Sequence, residues 1–322
     1  MNGARRFLSI SFALVVAGAV VSSAAVAQEA RRGVMGSLAL ELNGSSVGFL
    51  RGAEGGDVRA EVITQAMGWF PKKQLAQPTV EDLKLELGPD MDKAVYDWIA
   101  ASWKGNPSLA TGALLQVNYD SNVLARREFS SASVVGTTIP ALDASSKDPG
   151  YLMLAIHPES VRMTKGGGTV SPTLGGRSRP WITSNFRVDI PGLDCSRIKK
   201  VGGFTVTIQP KGSIQFPNLK LTMAESSAES WIAWHKSFVV DGLNGDDSEK
   251  DGAIIFLAAD MGTEIGRISL SHLGISSLTF DNPEGASNMI RTVTAELYCE
   301  GMAFQWTGGS GGNVLNTRTL IR

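Results

Sequence analysis

The sequence predicts a mainly β protein made of two similar β-barrel or sandwich domains, each carrying one short α-helix. Three observations predict it. Apolar residues alternate with polar ones over many short runs, the pattern of half-buried strands. Glycine is abundant, 36 of 322 residues, and gathers where those runs stop, as turns require. The same order of segments then occurs twice along the chain, which is the signature of a repeat.

The N-terminus comes first. Arg5 and Arg6 precede an apolar stretch from Phe7 to Val21, and Ala25-Val26-Ala27 follows as a small-x-small cleavage pattern. That is the grammar of a secretory signal over residues 1–27, so the expected location is periplasmic or extracellular, with no stable membrane span after cleavage. Phe7 follows the arginine pair directly, which favours general secretion over the twin-arginine route. Removing residues 1–27 moves the formal charge from −1 to −3. Such a mildly acidic chain lacks the electrostatic footprint of a nucleic-acid binder.

The first domain is expected over residues 31–159 and the second over 181–307. Leu83, Leu85 and Leu87 alternate with Lys84 and Glu86, and Leu219, Leu221 and Met223 repeat the pattern around Lys220 and Thr222. Each strand precedes a short helix with a tryptophan. Val95, Trp98 and Ile99 recur at helical spacing behind Asp90 or Asp92 as cap, and Ala228, Trp231, Ile232 and His235 form the matching stripe. Gly112-Ala113 and Gly252-Ala253 then open a hairpin in each half. Asp120 aligns with Asp260 and Arg127 with Arg267 without a gap. Each half closes on a further strand, Tyr151 to His157 and Thr292 to Glu300. Val293, Ala295, Leu297 and Cys299 share one face of the last. Between the halves, residues 160–180 hold Gly166-Gly167-Gly168, Pro172 and Gly175-Gly176 and are read as a linker. Residues 308–322 are read as a Gly-rich spacer and tail.

Catalytic chemistry is sparse. His157, His235 and His272 lack a second His or Cys at metal-ligand spacing and are read as packed or surface histidines. No Gly-x-Ser-x-Gly elbow occurs, and the Gly166–Gly168 run lacks the ending of a phosphate loop. No cofactor and no catalytic residue is assigned. Asp241, Asp246, Asp247, Glu249 and Asp251 form a weak Ca²⁺ candidate whose order departs from the EF-hand loop. The plainer reading is a solvated loop. Export permits a disulfide between Cys195 and Cys299, and the sequence leaves that pairing open. Trp69 and Trp181 are candidate exposed aromatics, which keeps an exported carbohydrate- or ligand-binding β-sandwich module as the alternative function.

Each half resembles the tail-tube proteins of phages with contractile tails and their relatives in type VI secretion and other contractile injection systems. The resemblance lies in Leu38 to Leu42 with Val47-Gly48-Phe49, Leu83–Leu87, Tyr96-Asp97-Trp98 and the hairpin Ala113–Phe129. In the second half it lies in Phe186 to Ile190, Val201-Gly202-Gly203-Phe204, Leu219–Met223, Trp231, Ala253–Leu270 and the closing run Thr294–Met302. It implies a non-catalytic structural protein whose partner is itself. Members join sheet edges into rings, usually six-membered, so a fused pair implies a trimeric pseudo-hexamer. Two features depart from the family: the chain holds two such domains, and it carries a signal sequence.

Overall fold

The computed structural model describes residues 36–67, 69–88, 91–170, 181–209, 212–281 and 291–306. The expected signal, the expected tail, residues 171–180 of the expected linker and Asp90 lie outside the described residues. The protein is mainly β, as its alternating runs predict.

The first half supplies β1 (Ser37–Leu42), β2 (Ser45–Gly55), β3 (Val58–Arg59), β4 (Val62–Met67), β5 (Phe70–Leu75), β6 (Thr79–Val80) and β7 (Leu83–Leu87). Helix α1 (Lys93–Ser102) follows, then β8 (Ala110–Val117), β9 (Val123–Ile139), β10 (Leu142–Asp143), β11 (Met153–His157) and β12 (Ser160–Lys165). The second half supplies β13 (Phe186–Asp189), β14 (Ile198–Val201), β15 (Phe204–Ile208), β16 (Ile214–Gln215) and β17 (Leu219–Ala224). Helix α2 (Glu229–His235) leads to β18 (Lys250–Leu257), β19 (Glu264–Phe280) and β20 (Thr292–Trp306). The stretch expected as linker thus begins with a strand: β12 pairs with β9 from Ser160 opposite Ser130 to Lys165 opposite Ala125.

Strands β11, β7, β2, β1, β8 and β9 pair in that order, and β9 pairs back with β11 to close a ring. In the second half β14, β17, β20, β19, β18 and β13 pair in sequence. No ladder joins β13 to β14 among the described residues, so that ring stays open. In cyclic order β20 stands in the place of β11, β17 of β7, β14 of β2, β13 of β1, β18 of β8 and β19 of β9. Where both halves form the same ladder, the registers agree. Leu85 lies opposite Ala53 and Leu154, and Leu221 lies opposite Val201 and Ala295.

Both long strands bend at the same place. Register slips between Ala110 and Gly112 in β8 and between Lys250 and Gly252 in β18. Opposite them, Ser131 (φ 48°) and His272 (φ 52°) are left-handed. A bulge supplies the local kink that lets a strand change partners. One expected alignment shifts by a residue. Arg267 lies opposite Ile255, whereas Arg126, not Arg127, lies opposite Leu115, because the β18–β19 turn holds one more residue than the β8–β9 turn. Val47 and Val201 likewise occupy different places, since Val201 matches Ala53 in register.

Burial follows the alternation. Leu83, Leu85, Leu219, Leu221 and Met223 are fully buried, each contributing about 1.5–3 kcal/mol of transfer free energy. Helix α1 starts where Asp92 Oδ1 accepts the Ala94 amide at 2.8 Å, and it buries Val95, Trp98 and Ile99. In α2 the buried stripe differs from the expected one. Ile232 is 41% exposed, and Trp234 and Phe238 take the inner positions beside Ala228 and Trp231. Trp234 packs on Trp231 at 6.3 Å and on Phe238 at 5.9 Å, as a π-helical turn over Lys236–Val240 redirects the chain.

The Trp181 ring packs closely on Gly150, whose amide donates to the Trp181 carbonyl at 2.8 Å. A β-carbon at Gly150 would stand 1.8 Å from the Trp181 ring. Gly150→Ala is therefore expected to cost about 1–3 kcal/mol of stability through overpacking. A lower urea midpoint at unchanged m-value checks it.

Candidate assembly edge and acidic cluster

Strand β9 outruns β8. Its residues up to Ala132 pair with β8, and beyond the bulge that side of β9 is taken by β15. Phe204 lies opposite Ile139, Thr205 opposite Thr138, Val206 opposite Thr137 and Thr207 opposite Gly136. The Thr138 and Thr205 hydroxyls meet at 2.8 Å. The chain then runs into β10, which pairs with β14, and Lys200 Nζ reaches Asp143 Oδ2 at 2.9 Å. The Ser145 hydroxyl and Lys200 together hold the Asp143 carboxyl down at about 2.

Helix α1 seals this joint from one side. Trp103 packs at a tilt against Phe304 at 5.4 Å and donates its indole N–H to Thr137 at 3.3 Å, while Tyr96 meets Trp306 at 5.8 Å. Trp181 also packs edge-on against Trp306 at 5.9 Å and Phe256 at 5.1 Å. Trp181 is thus buried, contrary to the expectation of an exposed aromatic. Trp69 is exposed, 97%, at the tip of the hairpin formed by β4 and β5, beside exposed Phe70.

The candidate Ca²⁺ loop does not converge. Asp241 pairs with Lys236 at 2.7 Å, and Asp246 and Asp247 sit exposed in a 3₁₀ turn. Glu249 and Asp251 gather instead around His272. Glu249, its side chain 8% exposed, accepts the Tyr298 hydroxyl on Oε1 at 2.6 Å and faces His272 Nδ1 through Oε2 at 2.8 Å. Asp251 accepts the His272 amide at 3.1 Å. Glu300, which sequence reasoning missed, brings a carboxylate oxygen within 4.8 Å of the Glu249 and His272 ligand atoms. Glu249, His272 and Glu300 are the described groups close enough to share a cation. Both oxygens of Glu249 are already engaged, however, so the arrangement acts as a hydrogen-bonded latch tying the loop to β19 and β20. No local sequence signal marks Glu300, which stands on β20 far from Glu249 in the chain.

Burial and then Glu249 push the Tyr298 hydroxyl up to about 12. Cys195 and Cys299 are free thiols, so the pairing left open by the sequence is not formed here. Burial raises both to about 11, and Cys299 Sγ donates to the Gly301 carbonyl at 3.0 Å. His157 Nδ1 meets Asp82 at 2.7 Å on an exposed surface, and His235 sits half-buried in the last turn of α2. Among the described residues no helix is long and apolar enough to cross a membrane.

Glu249 raises the His272 pKa above its ordinary value of about 6.5, first by the direct hydrogen bond. A raised folded-state value stabilises fully below the unfolded value and is lost as pH rises through the folded one. His272→Gln is therefore expected to lose least stability in alkali and most below about pH 6.5. Urea midpoints across pH, with the imidazole shift followed by NMR, check this.

No protein-family model matches the chain, and no curated protein matches it. Several solved structures resemble part of it, three of which follow. One is from the sheath–tube complex of an extracellular contractile injection system (PVC) in its extended state: 19% identical, covering 45% of this chain and 98% of that one, TM-score 0.39. Another, from the tube-terminating cap of the anti-feeding prophage, is 21% identical, covering 40% of this chain and 88% of that one, TM-score 0.36. The third, from the baseplate of the anti-feeding prophage, is 17% identical, covering 41% of this chain and 95% of that one, TM-score 0.36.

Proposed function

We propose that the chain is a non-catalytic structural protein, tail-tube-like and internally duplicated, which self-associates through sheet edges into a ring or tube. The observation that carries this reading is the β9–β15 ladder, in which one half adds a strand to the edge of the other. A surface that already works as an edge-to-edge joint within the chain suits the same joint between chains. Matching strand order, bulges and registers support the duplication. Ala113, Leu115 and Val117 form a small second apolar face on β8, and Ala253, Ile255 and Leu257 form its counterpart on β18. Repetition of a head-to-tail contact closes a ring when its rotation permits, and three chains of two domains each give a pseudo-hexamer.

Light scattering after size exclusion is expected to give a multiple of the chain mass, with trimeric rings in negative stain. A monodisperse monomer that binds glycans through Trp69 and Phe70 would instead establish the binding-module alternative.

We also propose export, on the strength of the Arg5–Ala27 pattern. N-terminal sequencing of the periplasmic or secreted protein is expected to begin at Gln28. Recovery from the cytoplasm with residues 1–27 intact would end this part of the reading.

A further inference from the structure

The β9–β15 joint has an unfilled counterpart. Strand β19 pairs with β18 only as far as Leu273, opposite Lys250, and then continues to Phe280 with β20 on its other side. No strand lies on the β18 side of Ser277–Phe280 among the described residues. Register fixes the equivalence. Leu154 lies opposite Thr137 as Ala295 lies opposite Leu278, with a bulge one step before each. Gly136 through Ile139, the residues that receive β15, therefore correspond to Ser277 through Phe280. Thr279 and Phe280 are exposed there.

The strand that would fill this edge is also present, and it is idle. In β14 and β2, Val201 and Ala53 face the equivalent residues Leu221 and Leu85. Counting onward, Phe204–Thr207 correspond to Gly56–Arg59. The hairpin partners agree: Thr207 lies opposite Gln215, and Arg59 lies opposite Thr79. In the second half this hairpin docks on β9. In the first half β3 pairs with β6 alone, and its other edge carries no strand among the described residues. The hairpin leaves Val58 (54%), Val62 (58%) and Leu75 (71%) exposed. Apolar exposure along an open strand invites another chain unless something covers it.

We infer that Asp57–Arg59 of one copy adds as an antiparallel strand to Ser277–Thr279 of a second copy, reproducing between chains the joint that β15 makes within one; Gly56, left-handed and buried, lies outside the paired segment. The register places Val58 opposite Leu278, Asp57 opposite Thr279 and Arg59 opposite Ser277. Val58 covers the half-buried Leu278, and the Asp57 carboxylate accepts the Thr279 hydroxyl where Thr205 meets Thr138 in the internal joint. Polarity is conserved as well. The second half lends its hairpin to the first half's edge, and the first half lends its hairpin to the next chain's second half. The contact is heterologous and runs in one direction. This inference rests on the self-assembly reading and names its surfaces.

Cross-linking tests it on the full chain. Residues directly opposite in an antiparallel pair stand about 4.5–5.5 Å apart at Cα, within disulfide range. The native thiols, largely buried and held protonated, stay in place. Under mild oxidation a mixture of Val58→Cys and Leu278→Cys chains is expected to form a covalent dimer that neither variant forms alone. Val58→Cys mixed with Phe280→Cys, two residues out of register, is expected to form none. Val58→Lys, at an exposed site, is expected to weaken association at least tenfold with unchanged melting temperature. Val58→Cys linking to itself would overturn the inference in favour of two hairpins meeting. An oligomeric native chain with no cross-link in the mixture would overturn these surfaces and leave self-assembly standing. A monomer at every concentration would overturn both.

Discussion

The structure depends on the need of every strand edge for a partner. Strands β9 and β19 are each 17 residues long, whereas β8 and β18, which flank them, have 8. A strand that outruns its neighbour leaves a row of amide and carbonyl groups that water satisfies poorly once side chains pack above them. On β9 the overhang is met by β15, and that pairing welds the two halves into one body. The bulges at Ser131 and His272 set where each overhang starts, because there the strand bends away from β8 or β18.

The aromatic cluster then makes the joint specific. A ladder alone tolerates slippage, since hydrogen bonds repeat every two residues. Trp103 and Tyr96 of the first half meet Phe304 and Trp306 of the second at 5.4 and 5.8 Å, and Trp181 backs Trp306 at 5.9 Å. Such rings fit one register only, and Trp103 also anchors to Thr137, a residue at the centre of the joint. The tight approach of Trp181 to Gly150 belongs to the same device. It fixes the chain where the second half begins, before β13 enters its sheet.

Much of this was legible in the sequence and some was not. The Leu83–Leu87 and Leu219–Met223 alternation gave both inner strands, and Asp92 marked the start of α1, because these signals are local. The sequence places Trp181 at the surface, whereas its burial depends on Phe256 and Trp306, remote in sequence. The observed α2 stripe differs from the expected one because a π-helical turn after His235 changes which side chains face inward, and no simple period announces it. Arg127 and Arg267 aligned by letter while the strands aligned one residue apart, since a turn absorbed the extra residue. The acidic loop looked like a cation site by composition. Its two useful members, Glu249 and Asp251, are turned instead toward His272 and Tyr298, partners more than twenty residues away.

The two equivalent hairpins differ in a direction that physics explains. The β15–β16 hairpin is short and docks within its own chain, where tethering supplies a high effective concentration and little extra contact is needed. A hairpin that docks on a separate chain must also offset the lost translational and rotational freedom of association. The β3–β6 excursion is longer and extends through β4 and β5 with Val62, Ile63, Phe70 and Leu75 exposed. That surplus is what an intermolecular version of the internal joint requires. Exposed apolar area on a hairpin with no internal role would burden solubility; on a strand matched in register to an open edge it has a place to go. On the proposed assembly, the difference between the two hairpins is the expected consequence of one joint being covalently tethered and the other not.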